Sequence, residues 1–116
     1  MPEKKWEIEA YEKPNGRCPT EDFLDNLTVE ERVFVDRAFA RLKIYGHELR
    51  RPHVDYLRDG IWELRVRVIK IRYRLLFFYD ERKIIITHGI KKQSSKVPDE
   101  EIDRALEYRN DYFQNK

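Results

Sequence analysis

A single cysteine, Cys18, leaves no internal disulfide to form and points to a reducing compartment. Glycine is scarce: Gly16, Gly46, Gly60 and Gly89 stand singly, and none belongs to a glycine-rich phosphate loop. No apolar run approaches the ~18 residues that a membrane helix needs; the longest uncharged apolar stretch is Leu75 to Tyr79. The opening Met-Pro-Glu-Lys-Lys-Trp lacks the apolar core of a signal peptide, so a cytoplasmic location is expected. His47, His53 and His88 do not have finger or metalloprotease spacing, and no metal site is expected. No G-x-S-x-G appears, and Cys18 sits in a Pro-flanked loop beside no histidine, so it reads as an ordinary free thiol.

What is present is charge. Charged residues make up 40% of the 116 and hydrophobic ones 41%, enough for one core and one domain spanning residues 1–116. The formal net charge is only +2. It is unevenly spread: residues 1–60 carry −2, residues 61–97 carry +7 and residues 98–116 carry −3. A +7 segment in a nearly neutral chain suggests a localised anion site, with phosphodiesters the commonest partner. The alternative is a set of solvated strand faces.

Periodicity sets out the elements. Trp6 to Tyr11 alternates with apolar residues at 6, 8 and 10, which predicts a half-buried strand. Pro14-Asn15-Gly16 reads as a turn. Thr20 to Asn26 reads as a short helix capped by Thr20. A longer helix opens with the Thr28/Glu31 capping box, carries Leu27, Val35, Ala38, Phe39, Leu42 and Tyr45 near helical spacing, and ends at Gly46. Residues 47–60 read as an irregular connection, with Pro52 blocking regular structure, an Asp59-Gly60 turn, and Val54 and Leu57 tucked onto the core. Strands are expected over Ile61 to Ile69, Ile71 to Tyr79 and Lys83 to Ile90, the later two central and covered on both sides. Pro98 and three following acids open a last helix with the stripe Ile102, Ala105, Leu106, Arg109 and Phe113. The order β-α-α-β-β-β-α predicts an α+β fold, a compact antiparallel sheet in a meander with helices packed on one side.

The chemistry-bearing residues are cations. Arg65 and Arg67 share one face of the first strand of the meander, and Arg72 and Arg74 share one face of the next. Lys91, Lys92 and Lys96 follow the third. Guanidinium groups are always charged and grip phosphate oxygens bidentately. Locally only Glu63, Asp80 and Glu81 could pair with them. His88 is either a hydrogen-bonded structural residue or a proton donor and acceptor beside a phosphodiester. Trp62 and Tyr73 read as core; Trp6 and Tyr79 read as core or as platforms for a base.

These residues carry a resemblance. Gly60-Ile61-Trp62-Glu63-Leu64-Arg65-Val66 resembles the "dG-ELR" strand of the phage-derived HigB-like toxins in the RelE/ParE superfamily. Tyr73-Arg74-Leu75-Leu76-Phe77 is similar to that family's "YR-L-F" strand. The stretch from His88 to Pro98 is similar to its "HGF-KK-xxK-P" segment, with Ile90 where the family usually has Phe. The likeness runs from about Leu57 to Phe113.

The resemblance implies a toxin of a type II toxin–antitoxin system and a compact antiparallel sheet flanked by helices. The implied partners are a cognate antitoxin, often of helix-turn-helix type, and ribosome-bound messenger RNA; no membrane and no small-molecule cofactor is implied. The implied activity is ribosome-dependent, metal-independent cleavage of messenger RNA by attack of a ribose 2′-hydroxyl on its phosphate. Arg65 and Arg74 then stabilise the phosphate, and Lys91 or Lys92 assists them. His88 and Glu63 are candidates for acid or base, while Arg67, Arg72 and Lys96 hold RNA. Two other readings remain at this point, a ParE-like DNA gyrase inhibitor and a non-catalytic nucleic-acid- or antitoxin-binding module.

Overall fold

A computed structural model describes residues 6–92 and 96–116. The elements are β1 (Glu7–Ala10), α1 (Pro19–Asp25), α2 (Val29–Tyr45), a 3-10 turn (Gly46–Glu48), β2 (Val54–Arg58), β3 (Ile61–Val68), β4 (Ile71–Asp80), β5 (Lys83–Lys92) and α3 (Asp99–Gln114). Among the described residues no helix is long and apolar enough to cross a membrane.

The helix ends follow their sequence signals with one exception. Thr28 accepts from the Glu31 backbone N–H while Glu31 accepts from Thr28, the reciprocal cap expected for α2. Gly46 closes α2 in the left-handed region at φ 53°. Thr20 does not cap α1: Cys18 holds that position, Pro19 starts the helix, and the buried Thr20 hydroxyl reaches the Ile86 carbonyl oxygen at 3.4 Å.

The five strands form one sheet in the order β1-β5-β4-β3-β2. Two features of the expected meander are corrected. The stretch read as irregular contains β2, antiparallel to β3, and the hairpin turns at Asp59 and Gly60 with φ of 52° and 84°. Asp-Gly favours this turn because both positions need positive φ. The sheet is also mixed rather than antiparallel. α1 and α2 carry the chain from the β1 edge to the β2 edge, and the meander then steps back until β5 lies parallel to β1.

The helices also lie on both faces rather than one. On the first face, Val35, Ala38 and Leu42 of α2 pack over Leu64, Val66, Tyr73, Leu75, Phe77, Ile84 and Ile86. On the second, Ile102 and Ala105 of α3 pack over Ile61, Leu76, Phe78 and Ile85, joined by Tyr11 and Val97. Strand β4 is buried without interruption from Tyr73 to Phe78, the mark of a central strand covered on both sides. Trp6 and Tyr79 belong to the first core, with ring centroids 5.4 Å apart.

Candidate functional site

Strand register assembles the cations in rows on the face that α3 partly covers. Glu63 lies opposite Leu76, which lies opposite His88; Arg65 opposite Arg74 opposite Ile90; Arg67 opposite Arg72 opposite Lys92. α3 seats on the Ile61, Leu76 and Phe78 end; beyond it Arg67 is exposed and Arg65 and Arg72 are half-buried, while Arg74 is buried. The backbone partner of β3 also ends here. β2 pairs only as far as Val54 with Leu64, after which the Arg65 N–H donates to the His53 carbonyl oxygen at 2.8 Å.

The opening beside this edge is a cleft of about 600 Å³, within the range of small-ligand sites. Arg65, Arg67, Arg72 and Arg74 of the sheet line it together with Phe34, Arg37 and Arg41 of α2 and with Pro52 and His53. Six guanidinium groups thus meet in one cleft, and no carboxylate lines it among the described residues. The sequence shows Arg37 and Arg41 at i and i+4 on one helix. It does not show that this helix crosses beside β3, so these two, with Phe34 and His53, were not anticipated.

Two of the six are held by the buried carboxylate of Glu63, and one of these also by the half-buried Asp55. Arg74 Nε lies 2.8 Å from Glu63 Oε1 as an ion contact, and Arg74 also donates to the Tyr73 carbonyl oxygen at 3.3 Å. Arg65 Nε donates to Glu63 Oε2 at 3.2 Å and its Nη2 donates to Asp55 at 3.4 Å, an aspartate which Arg51 holds from the outside at 2.8 Å. Burial pushes the Arg74 guanidinium below its usual pKa and Glu63 opposes that shift. The Arg51 hydrogen bond holds the Asp55 carboxyl below its usual range. Arg67 reaches only the Ile69 carbonyl oxygen, at 3.4 Å. Among the described residues neither Arg67 nor Arg72 has a carboxylate partner. Of the local carboxylates, only Glu63 serves the cluster; Asp80 bonds Tyr112 and Lys116 instead.

The remaining expected residues separate. Lys91 pairs with Tyr73 and therefore stands on the opposite face, near Glu31, which accepts the Tyr73 hydroxyl. Burial and Glu31 push the Tyr73 hydroxyl up to about 12. His88 is buried under α3, its Nε2 3.0 Å from Glu101 and its Nδ1 3.0 Å from the Thr87 hydroxyl. Lys96 precedes α3 and does not line the cleft. Gln93, Ser94 and Ser95 of the "KK-xxK" motif lie outside the described residues, and Lys92 enters only through its backbone pairing.

His53 is the imidazole that does line the cleft. Its Nδ1 is 3.3 Å from an Arg41 guanidinium nitrogen. Guanidinium only donates, so Nδ1 accepts and the neutral ring carries its proton on Nε2. Burial, then the Arg41 charge, push this imidazole below 6.5, which keeps it neutral near pH 7.

The arrangement is an anion cleft with fixed and free guanidinium groups around one neutral imidazole. No curated protein matches the chain. The family model of the phage-derived Gp49-like proteins (DUF891) matches residues 22–110, which take in α2, β2 to β5, parts of α1 and α3, and every residue of the cleft, and the chain belongs to that family.

Proposed function

We propose that this protein is the toxin of a type II toxin–antitoxin system, of the HigB kind within the RelE/ParE superfamily, and a cytoplasmic endoribonuclease that cuts ribosome-bound messenger RNA. The observation that carries this reading is the cleft itself, with six arginines and no lining carboxylate among the described residues. The Gp49-like family is associated with toxins of this class, which supports it.

In the proposed reaction the ribose 2′-hydroxyl loses its proton to water and its oxygen bonds to the adjacent phosphorus. The P–O5′ bond breaks, the 5′-oxygen takes up a proton, and a 2′,3′-cyclic phosphate remains. Charge accumulates on the phosphorane oxygens, and Arg65 and Arg74 supply fixed cations for it. Their geometry is set in advance by Glu63 and Asp55, so little reorganisation is needed at the moment of reaction. Arg67 and Arg72, without carboxylate partners, grip the flanking phosphates. His53, neutral with its proton on Nε2, suits a hydrogen bond from Nε2–H to a phosphorane oxygen, and water supplies the proton that the leaving 5′-oxygen takes up; His88 is occupied by Glu101 and Thr87, and Glu63 is held by two arginines. The ribosome completes the orientation of the substrate.

An antitoxin has a surface suited to it on α2. Val29, Val33, Ala40 and Ile44 form an exposed stripe opposite the buried Val35, Ala38 and Leu42, with Val29 79% exposed. An apolar helix face from the antitoxin, often of helix-turn-helix type, would cover it.

The test is to map messenger RNA 5′ ends after brief induction in bacteria, with and without a block of translation initiation. New ends inside coding regions that vanish under the block, and in the Arg67→Ala, Arg72→Ala double variant, are expected. Growth arrest with intact messages and a DNA-damage response would overturn the nuclease and favour gyrase inhibition.

A further inference from the structure

Phe34 is an aromatic ring in a cleft otherwise built for anions. It sits on the flank of α2 that turns toward the sheet arginines, remains 39% exposed, and lines the cleft with Arg37 and Arg41. Neighbouring Val35 and Ala38 take the buried face of the helix, so Phe34 adds little to the core. The Arg37 guanidinium lies over it, 5.7 Å from the ring centroid. The ring therefore offers a half-exposed planar face inside a cleft whose charged lining is wholly cationic among the described residues. A planar apolar face with an attached anion is the ligand chemistry that satisfies both conditions, and a nucleotide has it.

We propose that Phe34 is a stacking platform for an unpaired nucleobase, so that the cleft selects single-stranded over duplex RNA. This rests on the nucleic-acid reading of the cleft given above. A base in a duplex is already stacked above and below and cannot offer its face to a side chain. A flexible single strand can turn one base onto the ring while Arg37 and Arg41, one helical turn apart, meet its phosphates. Arg37 then moves from the ring to a phosphate oxygen, exchanging a cation–π contact for a charge-assisted hydrogen bond.

The test uses the full chain, fluorescence anisotropy and three labelled probes. The first is a short adenosine strand with 2′-O-methyl sugars, which cannot be cut by 2′-oxygen attack. The second is the same strand without bases, and the third is the strand annealed to its complement. The wild type is expected to bind the first roughly 5- to 150-fold more tightly than the second, the range for one stacked base. The duplex is expected to bind less tightly than the single strand. Phe34→Ala should bind the first and second strands equally while keeping the salt dependence of the wild type, and Phe34→Trp should restore the difference.

The proposal is overturned if Phe34→Ala binds the adenosine strand like the wild type, if it loses affinity equally for the base-less strand, or if the duplex binds as well as the single strand. Equal binding of the first two strands by the wild type removes the stacking alone. Binding of no strand by the wild type removes the nucleic-acid reading beneath it as well.

Discussion

Glu63 and Arg74 meet on the sheet face below the cleft, Oε1 2.8 Å from Nε, and the two residues are only 2% and 5% exposed. Arg65 takes the second oxygen of the same carboxylate. One buried anion therefore sets the direction of two cations, and removing it leaves a buried positive charge without compensation. Glu63→Ala is expected to cost about 3–5 kcal/mol in urea unfolding. The pair Glu63→Leu, Arg74→Met should recover at least half of that loss, because no buried charge is then left alone.

Arg67 and Arg72 stand on the same face without carboxylate partners among the described residues, which suits them to a ligand's phosphates. Each change to Ala should weaken RNA binding by a similar factor for every sequence and reduce the slope of log affinity against log salt by about one. The urea midpoint should stay in place. Lys91→Ala, on the opposite face, should leave the slope unchanged.

His88 is buried between β5 and α3, facing Glu101, Arg104 and Tyr108 with Thr87 beside it. Burial pushes its imidazole below 6.5; Glu101 opposes this and Arg104 adds to it. The unfolded chain therefore takes up the proton first, and stability falls as the pH drops below about 6.5, by at most about 1.4 kcal/mol per pH unit. Urea midpoints at about pH 7.5 and about pH 5.5 should differ more in the wild type than in His88→Gln.

Gly89 carries the close seat of α1 on β5. A Cβ at this position would come within 2.4 Å of the Phe23 ring. Gly89→Ala is expected to cost about 1–3 kcal/mol in unfolding. Phe23→Ala made in that background should cost less than it does alone, since the two side chains compete for one space.

The outward stripe of α2 predicts a separation of functions. Val33→Glu with Ile44→Glu should abolish rescue of growth by the cognate antitoxin, because both side chains leave solvent only in a complex. The same variant expressed alone should still arrest growth, since neither residue lines the cleft.

Much of the fold was legible because its signals are local. The Thr28/Glu31 box and Gly46 mark α2 at both ends, and strict alternation in β3 and the first half of β4 places Arg65, Arg67, Arg72 and Arg74 on one face. β2 escaped because Pro52 argued for a loop and because five residues show too little alternation to outweigh it. The Asp59-Gly60 turn was the available signal, since that dipeptide joins hairpin strands more readily than it ends a loop. Thr20 misled because a hydroxyl before two acids fits a cap, whereas Pro19 already supplies the first turn and leaves Thr20 to bond across to β5.

By itself the sequence determined which residues form each helix and central strand, and that its positive charge concentrates between residues 61 and 97, because capping, periodicity and composition act over a few neighbours. Only the tertiary structure decided which cations share a site. Parity along β5 turns Lys91 to the far face, and α3 buries His88. The crossing of α2 past the unpaired end of β3 adds Arg37, Arg41 and Phe34, and the segment entering β2 adds His53. Asp55, from a strand outside the basic segment, joins Glu63 in tying Arg65. These relations join residues far apart in the chain, and their geometry follows from which sheet end each helix covers.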